Sequence, residues 1–386
     1  MKQSIKSGPL GWLALLSYVV ITSAALAPVI SAPGGTGTLG GPIAGLDAEQ
    51  LGQFNRGRDV FDRDFHRSTG LGAPEMNADS CRACHQDPVM GGAGGLELNV
   101  SRFGDDNGGL GRFMDLPGGQ GLSKLHPPFV PLREECNELA TVFEQRQTPS
   151  TLGLGLVSRI PDYVITANED SADSNGDGIY GVARRVNVNG VIEIGKFGWK
   201  AQLPRVTDFG RDAMLGECGI TTPDDGRNLT PNEDSDTVSD PELSFYDFED
   251  LKLFQLLIAP PLRTGSTAPE VLAGELLFDQ IGCATCHIPS LEGHAGPVDL
   301  YSNLLLHDVM PVDFRGMAED GAGVGMYRTS PLWGIKHTAP YMHDGRAEDL
   351  DGAIRAHFSE AEDTRVSYEG LTEGQRADLI AFLNDL

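Results

Sequence analysis

Apolar residues recur at helical spacing in four stretches of the chain and crowd together without period in a fifth. Leu51, Phe54, Val60 and Phe61 fall along one side of a helix predicted over 46–65, with Asp47 positioned to cap its start. Val271, Leu272, Leu276, Leu277 and Phe278 predict a second helix over 268–281, which Gly282 can end. A third, amphipathic, covers 350–357 and carries His357. The fourth closes the chain: Ala377, Leu379, Ile380 and Leu383 make its apolar face, and Thr372 with Gln375 has the spacing of a capping box. The aperiodic stretch runs from Leu10 to Ile30, behind Lys2 and Lys6, and contains small residues at Ser23, Ala25 and Ala27. That is the pattern of an export signal. Because it nearly reaches the ~20 residues that span a bilayer, an uncleaved N-terminal anchor is the other reading.

Two of these helices lead into the same five-residue pattern. Cys81-Arg-Ala-Cys84-His85 follows the first and Cys283-Ala-Thr-Cys286-His287 the second. In Cys-x-x-Cys-His the two thiols can form thioethers to the vinyl groups of a haem while the next imidazole faces its iron. Cys81, Cys84, Cys283 and Cys286 are thus expected to bind two covalent haems c, with His85 and His287 as iron ligands. A redox dithiol or half of a zinc site is the alternative for Cys-x-x-Cys alone; a histidine directly after both pairs favours haem. The repeat extends further, since Gly57-Arg-Asp-Val-Phe61 aligns with Gly274-Glu-Leu-Leu-Phe278, and Arg146-Gln-Thr-Pro149 with Arg328-Thr-Ser-Pro331. Such internal similarity predicts two related haem domains. The expected organisation is a signal peptide or N-terminal anchor over 1–32, a linker over 33–45, an N-terminal haem c domain over 46–260 and a C-terminal one over 261–386. The boundary falls at the proline-rich Ala259-Pro-Pro-Leu-Arg-Thr-Gly-Ser.

Composition changes this picture in two ways. The 49 glycines and 24 prolines predict long loops between the helices of a mainly α fold. The net charge of −26 argues against nucleic acid or an anionic membrane as partner and favours a basic or neutral small redox protein as periplasmic electron donor. Cys136 and Cys218 are left over from the two haem motifs; in an oxidising compartment they either pair or remain buried thiols.

What lies on the far face of each iron decides function, because two strong axial ligands make a carrier whereas an open face can take an oxidant. His357 is the favoured distal ligand of the second haem, against a surface role; Met342 and His343 compete with it. For the first haem the candidate is His126, or that residue belongs to a surface loop. Asp173, Asn175 and Asp177 reproduce the first half of a calcium loop, but Arg184 stands where a bidentate Glu would close an EF-hand. They make either a calcium site completed from elsewhere or a solvated acidic turn. Trp199 is either an electron relay or packing. Glu217 is either a general acid-base group or an exposed carboxylate.

At these residues the sequence resembles the bacterial di-haem oxidoreductases regarded as peroxidases or thiol oxidoreductases. They are relatives of the di-haem cytochrome c peroxidases and of the di-haem enzyme that matures methylamine dehydrogenase. The matching segments are Cys81 to His85, Thr148 to Leu156, Asp173 to Gly181, Gly195 to Ala201, Gly282 to Pro289, Leu304 to Asp308, Arg328 to Gly334 and Tyr341 to Ala347. The resemblance implies two mainly helical cytochrome-c-like domains with one haem each, and calcium between them in peroxidase relatives. It implies that His357 stands at the distal position of the C-terminal haem, that Trp199 matches a bridging tryptophan and that Glu217 lies near a catalytic carboxylate. It would make the C-terminal haem receive electrons and the N-terminal haem reduce hydrogen peroxide. The expected function is therefore an exported di-haem peroxidase-like oxidoreductase; a non-catalytic di-haem electron-transfer cytochrome is the alternative.

Overall fold

Two helix pairs, built on the same plan, frame the molecule. In the first, α1 (Ala48–Asp62) crosses α3 (Phe245–Leu257); in the second, α4 (Pro269–Gln280) crosses α6 (Glu373–Asp385). The computed structural model describes residues 38–72, 77–106, 108, 138–234 and 236–386, so segment 1–32, expected to be an export signal or anchor, lies with His126 and Cys136 outside the described residues. Two further helices of eight residues or more are α2 (Val206–Ala213) and α5 (Glu362–Gly370). The strands form four antiparallel pairs: β1 (Val100–Gly104) with β2 (Val142–Arg146), β3 (Arg185–Val188) with β4 (Val191–Ile194), β5 (Leu291–Gly293) with β6 (Gly296–Val298), and β7 (Leu306–Asp308) with β8 (Met326–Arg328). The fold is mainly helical, as the sequence predicts, with these short ladders set into long connections. Among the described residues no helix is long and apolar enough to cross a membrane.

The helix starts follow from local chemistry. Asp47 accepts from the Gln50 N–H at 2.8 Å and Gln50 Oε1 accepts from the Asp47 N–H at 3.0 Å, a reciprocal cap that satisfies two otherwise orphaned donors. Thr372 and Gln375 repeat it on α6. Gly282, at φ +96°, turns the chain sharply after α4, a left-handed conformation that favours glycine. The predicted helix over 350–357 is shorter than expected: it spans Leu350–Arg355, and His357 sits beyond its end.

Each pair crosses through a glycine. Gly57 of α1 lies directly against the Asp250 carbonyl and the Phe254 side chain of α3, and Gly274 of α4 lies in the same way against Asp378 and Phe382 of α6. Four residues on from each glycine, Phe61 packs on Phe254 with ring centroids 5.0 Å apart, and Phe278 packs on Phe382 at 5.3 Å. The alignment of Gly57–Phe61 with Gly274–Phe278 thus marks one crossing made twice. The closing helices echo one another as well, in Asp250-Leu-Lys-Leu-Phe254 and Asp378-Leu-Ile-Ala-Phe382. Buried side chains gather into one core around α1 and α3 and another around α4 and α6. A third core joins Leu156, Ile160, Ile165 and Phe197 to Leu291, Leu300 and Leu305 from the later half of the chain.

Substituting Ala at either glycine drives a Cβ into the facing backbone carbonyl, which no rotamer change relieves. Gly57→Ala and Gly274→Ala are each expected to destabilise the protein by roughly 3 kcal/mol, the scale of an overpacked core. Denaturant unfolding of the two variants checks this; wild-type stability in either would mean that its crossing has room to spare.

Candidate functional site

The first Cys-x-x-Cys-His run forms a single helical turn, Cys81–Cys84, after α1. The His85 Nδ1 lies 3.1 Å from the Gly92 carbonyl, a contact that makes this nitrogen the N–H donor, with the Pro149 backbone as a further neighbour of the ring; Nε2 is the nitrogen that could hold a metal. The half-buried ring lies in the wall of a cavity. Burial pushes its pKa down to about 4, so the imidazole is neutral, the form that binds metal. The Cys81 thiol, 3.9 Å from Met214 Sδ, is pushed up to about 12 by burial and stays protonated and inert in its apolar setting.

The second run repeats this arrangement with different neighbours. After Gly282 the chain makes a short turn, Cys283–Thr285, and His287 Nδ1 is held 2.9 Å from the Tyr301 carbonyl. Burial again holds the ring neutral, at about 4, with His357 and His307 near enough for their charges to add to the effect. His357 Nδ1 is bound to the Ala353 carbonyl at 2.8 Å, and burial lowers its pKa as well. His307, only 2% exposed, bridges Glu360 (2.9 Å from Nδ1) and Asn303 (3.0 Å from Nε2). Burial lowers its pKa, but hydrogen bonds to Cys286 and Glu360 outweigh that and hold it up at about 9.

One continuous cavity of about 290 Å³ is lined by His85, His287 and His357 together, and by Cys283 and Cys286. Trp199 stands in its wall, with its indole N–H donating to the Gln147 carbonyl at 2.8 Å. Gln147 in turn donates its backbone N–H to the His343 carbonyl at 2.6 Å, so the tryptophan is tied to both halves of the chain. Behind the wall lies a buried charge network. Arg146 pairs with Glu144 at 2.8 Å and Glu319 at 2.7 Å, and Arg184 reaches Glu319 at 2.9 Å. Lys200, fully buried, donates to the Gly323, Val324 and Met326 carbonyls at 2.9–3.0 Å and lies over the Tyr327 ring. At the second motif these donors fit haem, with an apolar cavity, the Cys283 and Cys286 thiols in its wall and neutral imidazoles already oriented by their second nitrogen; of the first motif only His85 lines this cavity, with Cys81 packed against Met214.

The sequence-derived candidates divide accordingly. Trp199, His357, Met342 and His343 all line the cavity. Glu217 does not. Its carboxylate accepts from Asn77 Nδ2 at 2.9 Å, and it lies in the turn Met214–Cys218, whose buried Cys218 thiol feels Cys81 and Cys84. Asn175 and Asp177 are exposed and bonded to each other, Asn175 Nδ2 donating to Asp177 Oδ2 at 2.9 Å, while Asp173 Oδ1 accepts from the Gly178 N–H at 3.2 Å. The acidic group that does converge is Asp234, Asp240 and Glu242. Sequence reasoning missed His307, Glu360 and the free face of Arg328. The first and third lie in segments that align with relatives, but His307 and Glu360 are 53 residues apart and their pairing has no local signal.

A family model described as "Di-haem oxidoreductase, putative peroxidase" matches residues 140–386. Among solved structures, the chain is similar to a "MauG-like protein associated with microbial copper homeostasis", at 17% identity and a TM-score of 0.42 over 93% of both chains. It is similar to Kuenenia stuttgartiensis hydrazine synthase at 15% identity and a TM-score of 0.41 over 89% of both. No curated protein matches.

The buried network behind the cavity gives a pH-dependent expectation. Burial alone would raise Glu319, but Arg146, Arg102 and Arg184 hold it down at about 2. A carboxylate depressed in the folded state stabilises above its unfolded pKa, about 4.3, and that contribution is lost as pH falls toward 2. Glu319→Gln should cost roughly 3–5 kcal/mol at pH 7 by stranding buried arginines. The stability gap to wild type should narrow from pH ~4.3 downward. Denaturant unfolding across pH checks it; a gap independent of pH would remove Glu319 from the network.

Proposed function

The chain belongs to the di-haem oxidoreductase family, and from that premise we propose an exported peroxidase-like enzyme with two covalent haems c. One is attached through Cys81, Cys84 and His85 and the other through Cys283, Cys286 and His287. The observation that carries this reading is the single cavity reached by both motif histidines, each already fixed through Nδ1 to a carbonyl oxygen. A bound haem supplies an iron that exchanges single electrons and, where one axial face is open, takes an oxidant.

The chain's own residues then have distinct work. Gly92 and Tyr301 set the tautomer of the proximal imidazoles through their carbonyls. His357, its ring held by the Ala353 carbonyl and lining the same cavity as His287, would be the second ligand of the iron there. His307 and Glu360 sit beside Cys286, hydrogen-bonded to each other at 2.9 Å. Trp199, fixed by Gln147 in the wall of the cavity that both motif histidines line, would serve as the electron relay. The acidic surface of a chain carrying −26 would attract a small basic or neutral periplasmic redox protein as electron donor. Haem held at the second motif would accept those electrons, and haem held by His85 would supply the iron for reducing hydrogen peroxide, with two electrons and two protons, to two waters. Calcium at Asp173, Asn175 and Asp177 is not part of the proposal, since those side chains bond to their own loop.

The purified protein is expected to retain haem through denaturing electrophoresis, and the double variant Cys283→Ser with Cys286→Ser to lose the covalent attachment of one of the two. Peroxide consumption with a reduced donor should accompany a high-spin ferric signal in electron paramagnetic resonance. Two low-spin signals, no binding of cyanide in any redox state and no peroxide turnover would instead describe an electron carrier. His357→Ala should change the spectrum of the second haem alone; an unchanged spectrum would remove His357 from the iron.

A further inference from the structure

Arg328 is 9% exposed and lines the cavity beside Trp199, whose carbonyl accepts the Arg328 backbone N–H at 2.8 Å. Its position is rigid, because β8 pairs it with Leu306 and the next residue, Thr329, bonds to Leu305. Its guanidinium donates from Nε to the Gly198 carbonyl at 3.1 Å and from Nη1 to the Thr329 carbonyl at 3.3 Å. Among the described residues no carboxylate pairs with it and Nη2 has no partner. Burial alone acts on its pKa, pulling it down to about 10.

The other charged groups on the wall are neutralised locally. Glu360 pairs with His307, and Arg365 pairs with Glu362 and Glu369. The sequence echo sharpens the contrast. Arg146, the counterpart of Arg328 in the first half, is turned away from the cavity and paired with Glu144 and Glu319. One copy of the repeated arginine is thus already neutralised, and the other faces the cavity without a counter-charge. Leaving a guanidinium in a low-dielectric wall costs several kcal/mol unless an anion joins it. Its planar fork matches a carboxylate.

We propose that Arg328 is the counter-ion of a carboxylate in the cavity, supplied by a haem propionate. This rests on the haem reading above. A positive charge beside a haem favours the reduced iron, so Arg328 also sets the potential of the haem whose propionate it holds, and makes the two sites electrically unequal.

The test is redox potentiometry of the haem-loaded protein, wild type against Arg328→Gln and Arg328→Lys, after covalent haem is verified on denaturing gels. Absence of haem would sink the haem reading itself, whereas haem with an indifferent Arg328 would sink only this proposal. In Arg328→Gln one haem should become harder to reduce, its reduced-to-oxidised ratio at fixed potential falling about tenfold, with the other unmoved. The bend in its potential-against-pH curve that reports propionate ionisation should move to higher pH, and Arg328→Lys should restore most of both effects. Unchanged potentials and an unchanged bend in Arg328→Gln overturn the proposal. So does a wild-type potential that responds saturably to added formate and ceases to do so in Arg328→Gln, which would make the anion a free one. If Arg328→Gln is not recovered with haem, Arg328→Lys decides: loss of the fork should shift the propionate band in resonance Raman, and an unshifted band overturns the assignment.

Discussion

The rest of the structure depends on the contact of a glycine with the backbone of a crossing helix. At Gly57 and Gly274 there is no side chain between the two helices, so they approach closely enough for Phe61 and Phe254, and Phe278 and Phe382, to interlock. Each crossing buries the aromatic layer on which a haem motif is laid, since α1 and α4 both run directly toward one. Lengthening the glycine by a methyl group would part the helices and shift the motif relative to the carbonyl that orients its histidine. The geometry of the imidazoles is in this sense inherited from a packing contact several turns away.

Charge is distributed with equal economy. The chain is strongly acidic, yet its interior beside the cavity is rich in buried cations: Arg146, Arg184, Lys200 and Arg328. Three are compensated within the protein, by Glu144 and Glu319 or by a ring of carbonyls. In the proposed reading, a cationic framework of this kind would suit a cofactor that brings its own carboxylates, and an acidic exterior would suit a basic or neutral donor. The two halves carry the same sequence elements with unequal electrostatics, which is what directional electron flow between two haems of one type would require.

The helices were legible from the chain because their signals are local. Asp47 with Gln50 and Thr372 with Gln375 cap helices within three residues, and Gly282 ends one for want of a Cβ. The helix Phe245–Leu257 carries a weak apolar period although Ser244 caps it, and it shares Asp-Leu-x-x-Phe with the closing helix because each packs that face against a glycine. His357 was assigned to a helix that stops two residues earlier, since Arg355 to Phe358 carry no signal strong enough to mark the end.

The sequence alone determined the residue spacing of two Cys-x-x-Cys-His runs, each behind a Gly-x-x-x-Phe helix, and with them the expectation of two covalently held haems. Tertiary structure decided what depends on residues far apart in the chain. It brought His287, His307 and His357 around one site, set Glu360 against His307 across 53 residues, and left Glu217 off the cavity wall. It also separated two arginines that the sequence presents as equivalent, neutralising Arg146 and exposing Arg328 to the cavity. The reason is physical: spacing along a chain fixes which atoms can reach one another through a few bonds, whereas burial and counter-charge are properties of the packed neighbourhood.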